Sequence, residues 1–185
     1  MIRTIYALTL FWIFMIFSLL LYIPYIPLSI PGLHGTRERY VLAISRMWAR
    51  YVLFLGGINL EVRGIEHIPS DKNICFVSNH QSSFDIPVVM ASLPRVIGFM
   101  AKKELKYVPF LSSWMKTIGC LFLDRKNPRQ AIEVFEEGTR QIRNGRAKLI
   151  FPEGTRSRDG KMKPVRSGAL KLAFRSDATV VPLTI

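Results

Sequence analysis

The chain has 185 residues, with 26 Lys and Arg against 13 Asp and Glu, which gives a formal net charge of +13. It contains no internal repeats and no low-complexity run, which excludes a repeat array. The surplus of positive charge favours an anionic partner, either nucleic acid or an anionic lipid surface.

The first predicted element is an apolar helix near the amino terminus. No charged residue lies from Ile5 to Ile23, and these 19 residues would form a helix of roughly 28 Å, close to the ~30 Å core of a bilayer. A signal peptide fits less well, because only Arg3 precedes the apolar run and no clear small-residue cleavage site follows it. Pro24, Pro27, Pro31 and Gly32 are expected to end the helix. The apolar helix favours membrane lipid, and not nucleic acid, as the partner.

A second predicted helix, within residues 39–55, is amphipathic. Its two faces carry Ile44, Trp48, Tyr51 and Leu55 on one side and Arg39, Arg46 and Arg50 on the other. This pattern suits a helix in the membrane interface with its arginines among lipid phosphates, but an ordinary helix facing a protein core gives the same pattern. We therefore expect a membrane-associating helical pair over residues 1–57, which spans the bilayer or enters one leaflet. Spanning would place the rest of the chain at the cytoplasmic face of the inner membrane.

Residues 58–185 alternate between strand and helix patterns and predict one α/β domain, with a central mixed sheet flanked by helices. The strand candidates are residues 58–63, 74–78, 96–100, 120–123, 147–151 and 179–185. The clearest helix is 128–143, with Asn127 as its N-cap and Gly145 beyond its end. Its apolar stripe, expected to face the core, consists of Ala131, Ile132, Phe135 and Ile142.

The first motif is NHQSSFD at residues 79–85, directly after the strand candidate 74–78. It places His80 in a loop at the carboxyl end of a strand, where α/β sheets bind ligands. An imidazole there could take a proton from a substrate hydroxyl, and Asp85 could orient it. A single His and Asp pair is weak support, since a loop histidine is more often a capping or surface group.

The second motif is FPEGTRS at residues 151–157, after the strand candidate 147–151. Gly154 would let the backbone approach a ligand closely, and Arg156 offers a planar fork that suits a phosphate. By itself, this segment could equally be a solvated basic turn.

Four segments in order resemble the glycerolipid acyltransferase family, most closely its lysophosphatidic acid acyltransferases: NHQSSFD at 79–85, residues 102–125, FPEGTRS at 151–157 and VVPLTI at 180–185. The resemblance implies the fold of that family, with His80 as general base and Asp85 as its partner. It implies substrate-binding residues as well: Lys102, Arg125, Glu153, Gly154, Thr155 and Arg156 for the acceptor, and Pro182 near the acyl site. The second segment also matches the family at Gly119. Ser112 departs from the pattern, since family members commonly have a glycine there.

The same resemblance implies a reaction. An acyl group would pass directly from acyl-CoA or acyl-carrier protein to the 2-hydroxyl of lysophosphatidic acid, giving phosphatidic acid, with no cofactor and no metal. Two alternatives stay open: an acyltransferase for another lysophospholipid or glycerol 3-phosphate, and a non-catalytic basic membrane module. The His80 and Asp85 pair argues against the second. Family members usually continue past the fourth segment, so further chain is expected after Ile185.

The remaining histidines and the cysteines suggest no further chemistry. His34 and His67 have no ligand-like neighbours in the sequence. Cys75 and Cys120 lie in apolar strand candidates and are expected to be small buried hydrophobic residues rather than a disulfide.

Overall fold

A computed structural model of the protein describes residues 2–70, 73–157, 161–166 and 168–185. The helices are α1 (Ile2–Phe17), α2 (Tyr22–Tyr25), α3 (His34–Gly56), α4 (Asp85–Ser92), α5 (Leu111–Thr117), α6 (Pro128–Arg143) and α7 (Lys171–Arg175). The strands are β1 (Ile74–Ser78), β2 (Ile97–Lys102), β3 (Leu121–Leu123), β4 (Ala147–Ile150) and β5 (Thr179–Leu183).

The five strands form one sheet in the order β3-β2-β4-β1-β5, and each neighbouring pair is parallel. The predicted α/β class is confirmed, but the sheet is parallel in these pairs and not mixed. The reason is the connections: α4, α5, α6 and α7 each follow one strand and precede the next, which returns the chain to the same end of the sheet. All the carboxyl ends of the strands therefore lie along one edge.

The strand candidate 58–63 is wrong, because this segment has no strand partner in the structure. Its apolar side chains Leu60 and Val62 are exposed. A segment with alternating apolar and polar residues becomes a strand only when a neighbouring strand is available to pair with it.

Helices cover both faces of the sheet. On β1, Ile74 and Phe76 pack in a core cluster with Val89 and Leu93 from α4 and its end. The alternate residue Cys75 packs with Ile142 of α6 and with α7. This alternation is the period of two expected for a strand buried on both faces.

Helix α6 matches its prediction at both ends. The Asn127 side chain accepts a hydrogen bond from the N–H of Gln130 at 3.1 Å, and Gly145 has a φ of 83°. The predicted apolar stripe is wrong at Ile132, which is 57% exposed, whereas Ile142 is fully buried.

Helix α3 is continuous with the core of the α/β domain. Val41, Ala49 and Leu53 are buried with Met90 and Cys120 in one cluster. The predicted boundary at residue 57 thus lies between elements that share a core. Of the predicted arginine face, Arg46 instead donates to the carbonyl of Leu93 at 3.0 Å, while Arg39 and Arg50 are exposed.

Helix α1 packs on α3 but leaves much of its apolar surface exposed. The rings of Phe14 and Tyr51 stack at 4.6 Å, and the Tyr51 hydroxyl donates to the carbonyl of Leu10 at 3.0 Å. Thr4–Tyr25 is the one helical stretch in the described part that is long and apolar enough to cross a membrane, with a mean hydropathy of 2.2. Its exposed large side chains include Ile5, Tyr6, Leu8, Trp12, Ile13, Ile16, Phe17, Leu19, Leu20 and Ile23.

A buried lysine lies in the middle of the sheet. Lys148 of β4 is only 2% exposed, and its Nζ donates to the carbonyl of Gly119 and to the side-chain oxygen of Gln141 on α6. Burial lowers its pKa to about 8. The free thiols of Cys75 and Cys120 are buried as predicted, and burial raises the pKa of each to about 12.

Replacing Lys148 by Met should remove one source of pH dependence from the free energy of unfolding. The pKa of Lys148 is lowered from 10.5 to about 8, so between these pH values the unfolded chain holds more protons than the folded one. The free energy of unfolding of the wild type should therefore rise across this window, by at most about 3 kcal/mol. Below the window both states are protonated, and the contribution is constant.

Urea unfolding of both proteins across that pH range would measure the difference. The expected result is a rise in the wild type that is smaller or absent in Lys148→Met. If the free energy of unfolding changed with pH in the same way in both proteins, the lowered pKa of Lys148 would be contradicted.

Candidate active site

The side chains of His80 and Asp85 form a hydrogen-bonded pair at the carboxyl end of β1. Nδ1 of His80 lies 2.7 Å from Oδ2 of Asp85, and the same oxygen accepts the N–H groups of Gln81 and Ser82 at 2.7 and 2.9 Å. Asp85 is 3% exposed. A carboxylate that accepts three donors holds the proton of imidazole on Nδ1, which leaves the lone pair on Nε2. The pair is therefore arranged as a base and its orienter.

The imidazole ring of His80 also packs against an aromatic side chain. Its ring stacks on the ring of Phe151, with the centroids 3.9 Å apart and an angle of 15° between planes. The sequence placed Phe151 at the end of a strand and at the start of the second motif, and it did not predict this contact. The contact arises because β1 and β4 are neighbours in the sheet, so the residues that follow them meet.

Glu153 joins the loop after β4 to the loop after β1. Its Oε1 accepts the N–H of His80 and its Oε2 accepts the N–H of Lys163, each at 2.9 Å. The N–H of Ser157 donates to the carbonyl of His80 at 2.7 Å. Glu153 is 3% exposed, and backbone donors occupy both its oxygens. This geometry supports a positioning role for Glu153 rather than direct contact with an acceptor.

Arg156 extends from the second motif to the first. Its Nη1 donates to Oγ of Ser83, and the exposed Arg156 and Thr155 lie in the same turn. A Cβ placed on Gly154 would lie 2.9 Å from Nε of Arg166, and the φ of Gly154 is 68°. Glycine at this position therefore admits a second guanidinium, that of Arg166, which sequence reasoning did not place in the site.

Lys102 and Arg125 lie on the same edge but farther from His80. They end or follow β2 and β3, which are two and three strands away from β1, a separation of roughly 10 and 14 Å. Gly119 does not lie on this edge, because it precedes β3, and its carbonyl accepts from the buried Lys148.

The fourth segment reaches the site through Asn79. The Asn79 side chain donates to the carbonyl of Ile185 at 2.8 Å and accepts its N–H at 3.0 Å, which fixes the end of β5 beside His80. Pro182 is exposed on β5, the edge strand, opposite Val77 of β1. An edge strand tolerates proline, which lacks the N–H for a further partner.

An apolar cavity of about 450 Å³ lies between the amino-terminal helices and the sheet and extends to the loop of the first motif. It is bounded by α1, α3, α4, α5 and β2, and its lining does not include Pro182. Representative lining residues are Phe14, Trp48, Ser83, Phe99, Leu111 and Trp114. A long hydrocarbon chain could be buried here within reach of the His80 loop.

A family model of acyltransferases matches residues 59–185. The chain belongs to the acyltransferase family. It is 35% identical over 147 residues to human 1-acyl-sn-glycerol-3-phosphate acyltransferase alpha, covering 78% of this chain and 51% of that one. It is 29% identical to the 1-acyl-sn-glycerol-3-phosphate acyltransferase of Borreliella burgdorferi, covering 80% and 59% of the two chains. The chain thus spans about half the length of these curated relatives.

The fold is similar to that of a solved structure, the 1-acyl-sn-glycerophosphate (LPA) acyltransferase PlsC from Thermotoga maritima. The TM-score is 0.82 with 23% identity, over 98% of this chain and 72% of that chain. The predicted resemblance and fold are confirmed by these matches.

Replacing Glu153 by Ala should lower the free energy of unfolding by about 1–3 kcal/mol, because it leaves two backbone N–H groups without their acceptor. Glu153→Gln, which keeps one carbonyl oxygen, should lose less. Urea unfolding would measure both, with Glu133→Ala on the exposed face of α6 as a control that should change stability by less than about 0.5 kcal/mol. Equal stability of Glu153→Ala and the control would rule out the bridging role.

Proposed function

We propose that this chain transfers an acyl group from an acyl thioester to the 2-hydroxyl of lysophosphatidic acid, giving phosphatidic acid and a free thiol. The observation that carries the proposal is the His80 and Asp85 pair, with Nε2 left as acceptor, next to Arg156 and the apolar cavity. The names of the relatives support the same acceptor. The reaction needs no cofactor and no metal, since the thioester is already activated.

In the proposed reaction, Nε2 of His80 removes the proton of the 2-hydroxyl while the hydroxyl oxygen attacks the thioester carbonyl. Asp85 stabilises the imidazolium that forms. The new carbon–oxygen bond is made, the carbon–sulfur bond breaks, and the imidazolium returns its proton to the departing thiolate. The acyl group passes directly between substrates, so no covalent acyl-enzyme forms.

The guanidinium groups of Arg156 and Arg166 are suited to binding the acceptor phosphate. Arg156 lies against the loop of the first motif through Ser83, and Arg166 passes over Gly154 beside it. A phosphate monoester accepts well from paired guanidinium groups. Lys102 and Arg125 are proposed to complete the binding of the phosphate from the ends of β2 and β3, with Thr155 at the turn.

The apolar cavity is suited to the acyl chain of the donor, which is carried by coenzyme A or by acyl-carrier protein. One wall of it is formed by α1 and α3, whose outer surface carries exposed apolar side chains. We propose that this surface lies in the lipid of the membrane, so that the acceptor enters from the leaflet. The catalytic edge then works at the cytoplasmic face of the inner membrane.

Replacing His80 by Ala should abolish most of the transfer, by roughly 10²- to 10⁴-fold in kcat, because it removes the general base. Thiol release from acyl-CoA and from acyl-carrier protein, with a panel of acceptors, would measure it. His67→Ala is the matched control, since His67 is an exposed histidine whose ring lies 3.6 Å from the carboxylate of the likewise exposed Glu66. Turnover of His80→Ala near that of the control would overturn the assignment.

Replacing Arg156 by Ala should mainly raise the KM for lysophosphatidic acid, with a loss in kcat/KM of roughly 10- to 150-fold. Arg156→Lys should recover little, because an ammonium lacks the bidentate fork. Arg175→Ala, on the exposed side of α7, should leave kinetics unchanged.

The decisive comparison for Arg156 uses an acceptor whose phosphate is masked by a head group. The wild type should discriminate against it, and Arg156→Ala should discriminate less. Equal losses for both acceptors would show that Arg156 acts on the turn and not on the phosphate.

A further inference from the structure

A second cavity, of about 540 Å³, lies at the edge of the sheet opposite to His80. It is lined by the start of α3 and by the segments that precede the strands: Ser70 before β1, Pro94–Val96 before β2, Thr117 and Ile118 before β3, and Asn144–Arg146 before β4. The proposed transfer reaction uses none of these residues.

The lining of this cavity is cationic. Arg37 and Arg39 come from α3, Arg95 from the loop before β2, and Arg146 from the loop before β4. Among the described lining residues, Glu38 is the one acid. Among the described residues, Arg37, Arg39 and Arg146 form no ion pair with a carboxylate within 4.0 Å. Guanidinium groups gathered around one cavity repel each other, and a bound anion would relieve that repulsion.

The cavity is bordered by an exposed apolar surface. Tyr25 and His34 line it, and the segment between them carries exposed Ile26, Ile30 and Leu33. A ligand at this place would meet positive charge inside and hydrocarbon outside. That combination matches an amphiphile with an anionic head, and it does not match a soluble anion or nucleic acid.

We propose that this cavity binds the phosphate head group of an anionic membrane phospholipid, whose acyl chains lie along the apolar segment before α3. Arginine is suited to the phosphate through its planar fork. The start of α3 adds the positive end of a 23-residue helix, with no acidic residue in its first turn. The lipid would hold the sheet at a fixed inclination to the membrane.

This lipid is not the acceptor of the transfer reaction. The five residues of β1 alone separate the two edges of the sheet by roughly 16 Å. In lysophosphatidic acid the phosphate lies only a few covalent bonds from the 2-hydroxyl. A molecule with its phosphate in this cavity therefore cannot present that hydroxyl to His80.

Cosedimentation with phosphatidylcholine vesicles, with and without phosphatidylglycerol, tests the proposal without any need for activity. Arg39→Gln combined with Arg146→Gln should weaken binding to the anionic vesicles roughly tenfold or more. The matched control is Lys171→Gln with Arg175→Gln, which removes the same charge from exposed positions on α7, across the sheet from α3. This control should retain most of the binding, and equal losses in the two double variants would overturn the proposal.

Gly35→Trp tests the cavity while keeping every charge. Gly35 lines the cavity, and a Cβ on it would meet nothing within 4 Å, so the ring should block the opening without disturbing the fold. We expect it to weaken binding to anionic vesicles as the arginine variant does. Unchanged binding would mean that only surface charge acts and would overturn the proposal.

Inorganic phosphate separates a lipid from a soluble ligand. We expect it to compete only weakly with anionic vesicles, because it lacks the hydrocarbon that the apolar border would bind. Thermal stabilisation of the wild type by inorganic phosphate, lost in Arg39→Gln with Arg146→Gln while vesicle binding stays intact, would assign the cavity to a soluble anion and overturn the proposal.

Discussion

The buried carboxylate of Glu153 is the interaction on which the geometry of the site depends. A buried charge is stable only when its oxygens are satisfied, and here the backbone of His80 and the backbone of Lys163 supply the donors. This requirement ties the loop after β4 to the loop after β1. The position of the imidazole relative to Arg156 follows from it, because both residues belong to the loops that Glu153 joins.

The parallel sheet explains why residues far apart in sequence act at one place. The carboxyl ends of its strands lie on one edge, so the loop after β1, with His80 and Asp85, meets the loop after β4, with Arg156. The amino-terminal helices contribute a different component, since α1 and α3 enclose an apolar space that extends to the same loop. The His80 loop therefore borders both the polar side chains of the site and this apolar cavity.

The sequence predicted local features of the fold more accurately than it predicted contacts between separate elements. The β1 candidate and the bounds of α6 agree with the structure, because apolar runs and the Asn127 cap act over a few residues. The strand predicted at residues 58–63 does not form, because a strand also needs a neighbouring strand with which to pair. In the site, the His80 and Asp85 pair is local and was found. The stacking of His80 on Phe151 depends on which strands are neighbours, and the position of Arg166 beside Gly154 depends on how the long segment after β4 folds back. The burial of Lys148 has no local signal either, since one of its partners is the carbonyl of Gly119, in a turn 29 residues earlier.

Helices α1 and α3 have two surfaces with different surroundings. Their inner side chains line the apolar cavity, and the outer side chains of α1 are exposed hydrocarbon. The stacking of Phe14 on Tyr51 is one of the contacts that holds the two helices together. Any force that tilts or lifts α1 therefore also reshapes the space available to an acyl chain. If the cavity binds the acyl chain as proposed, the thickness and lateral pressure of the bilayer would then influence which chain lengths the cavity accepts.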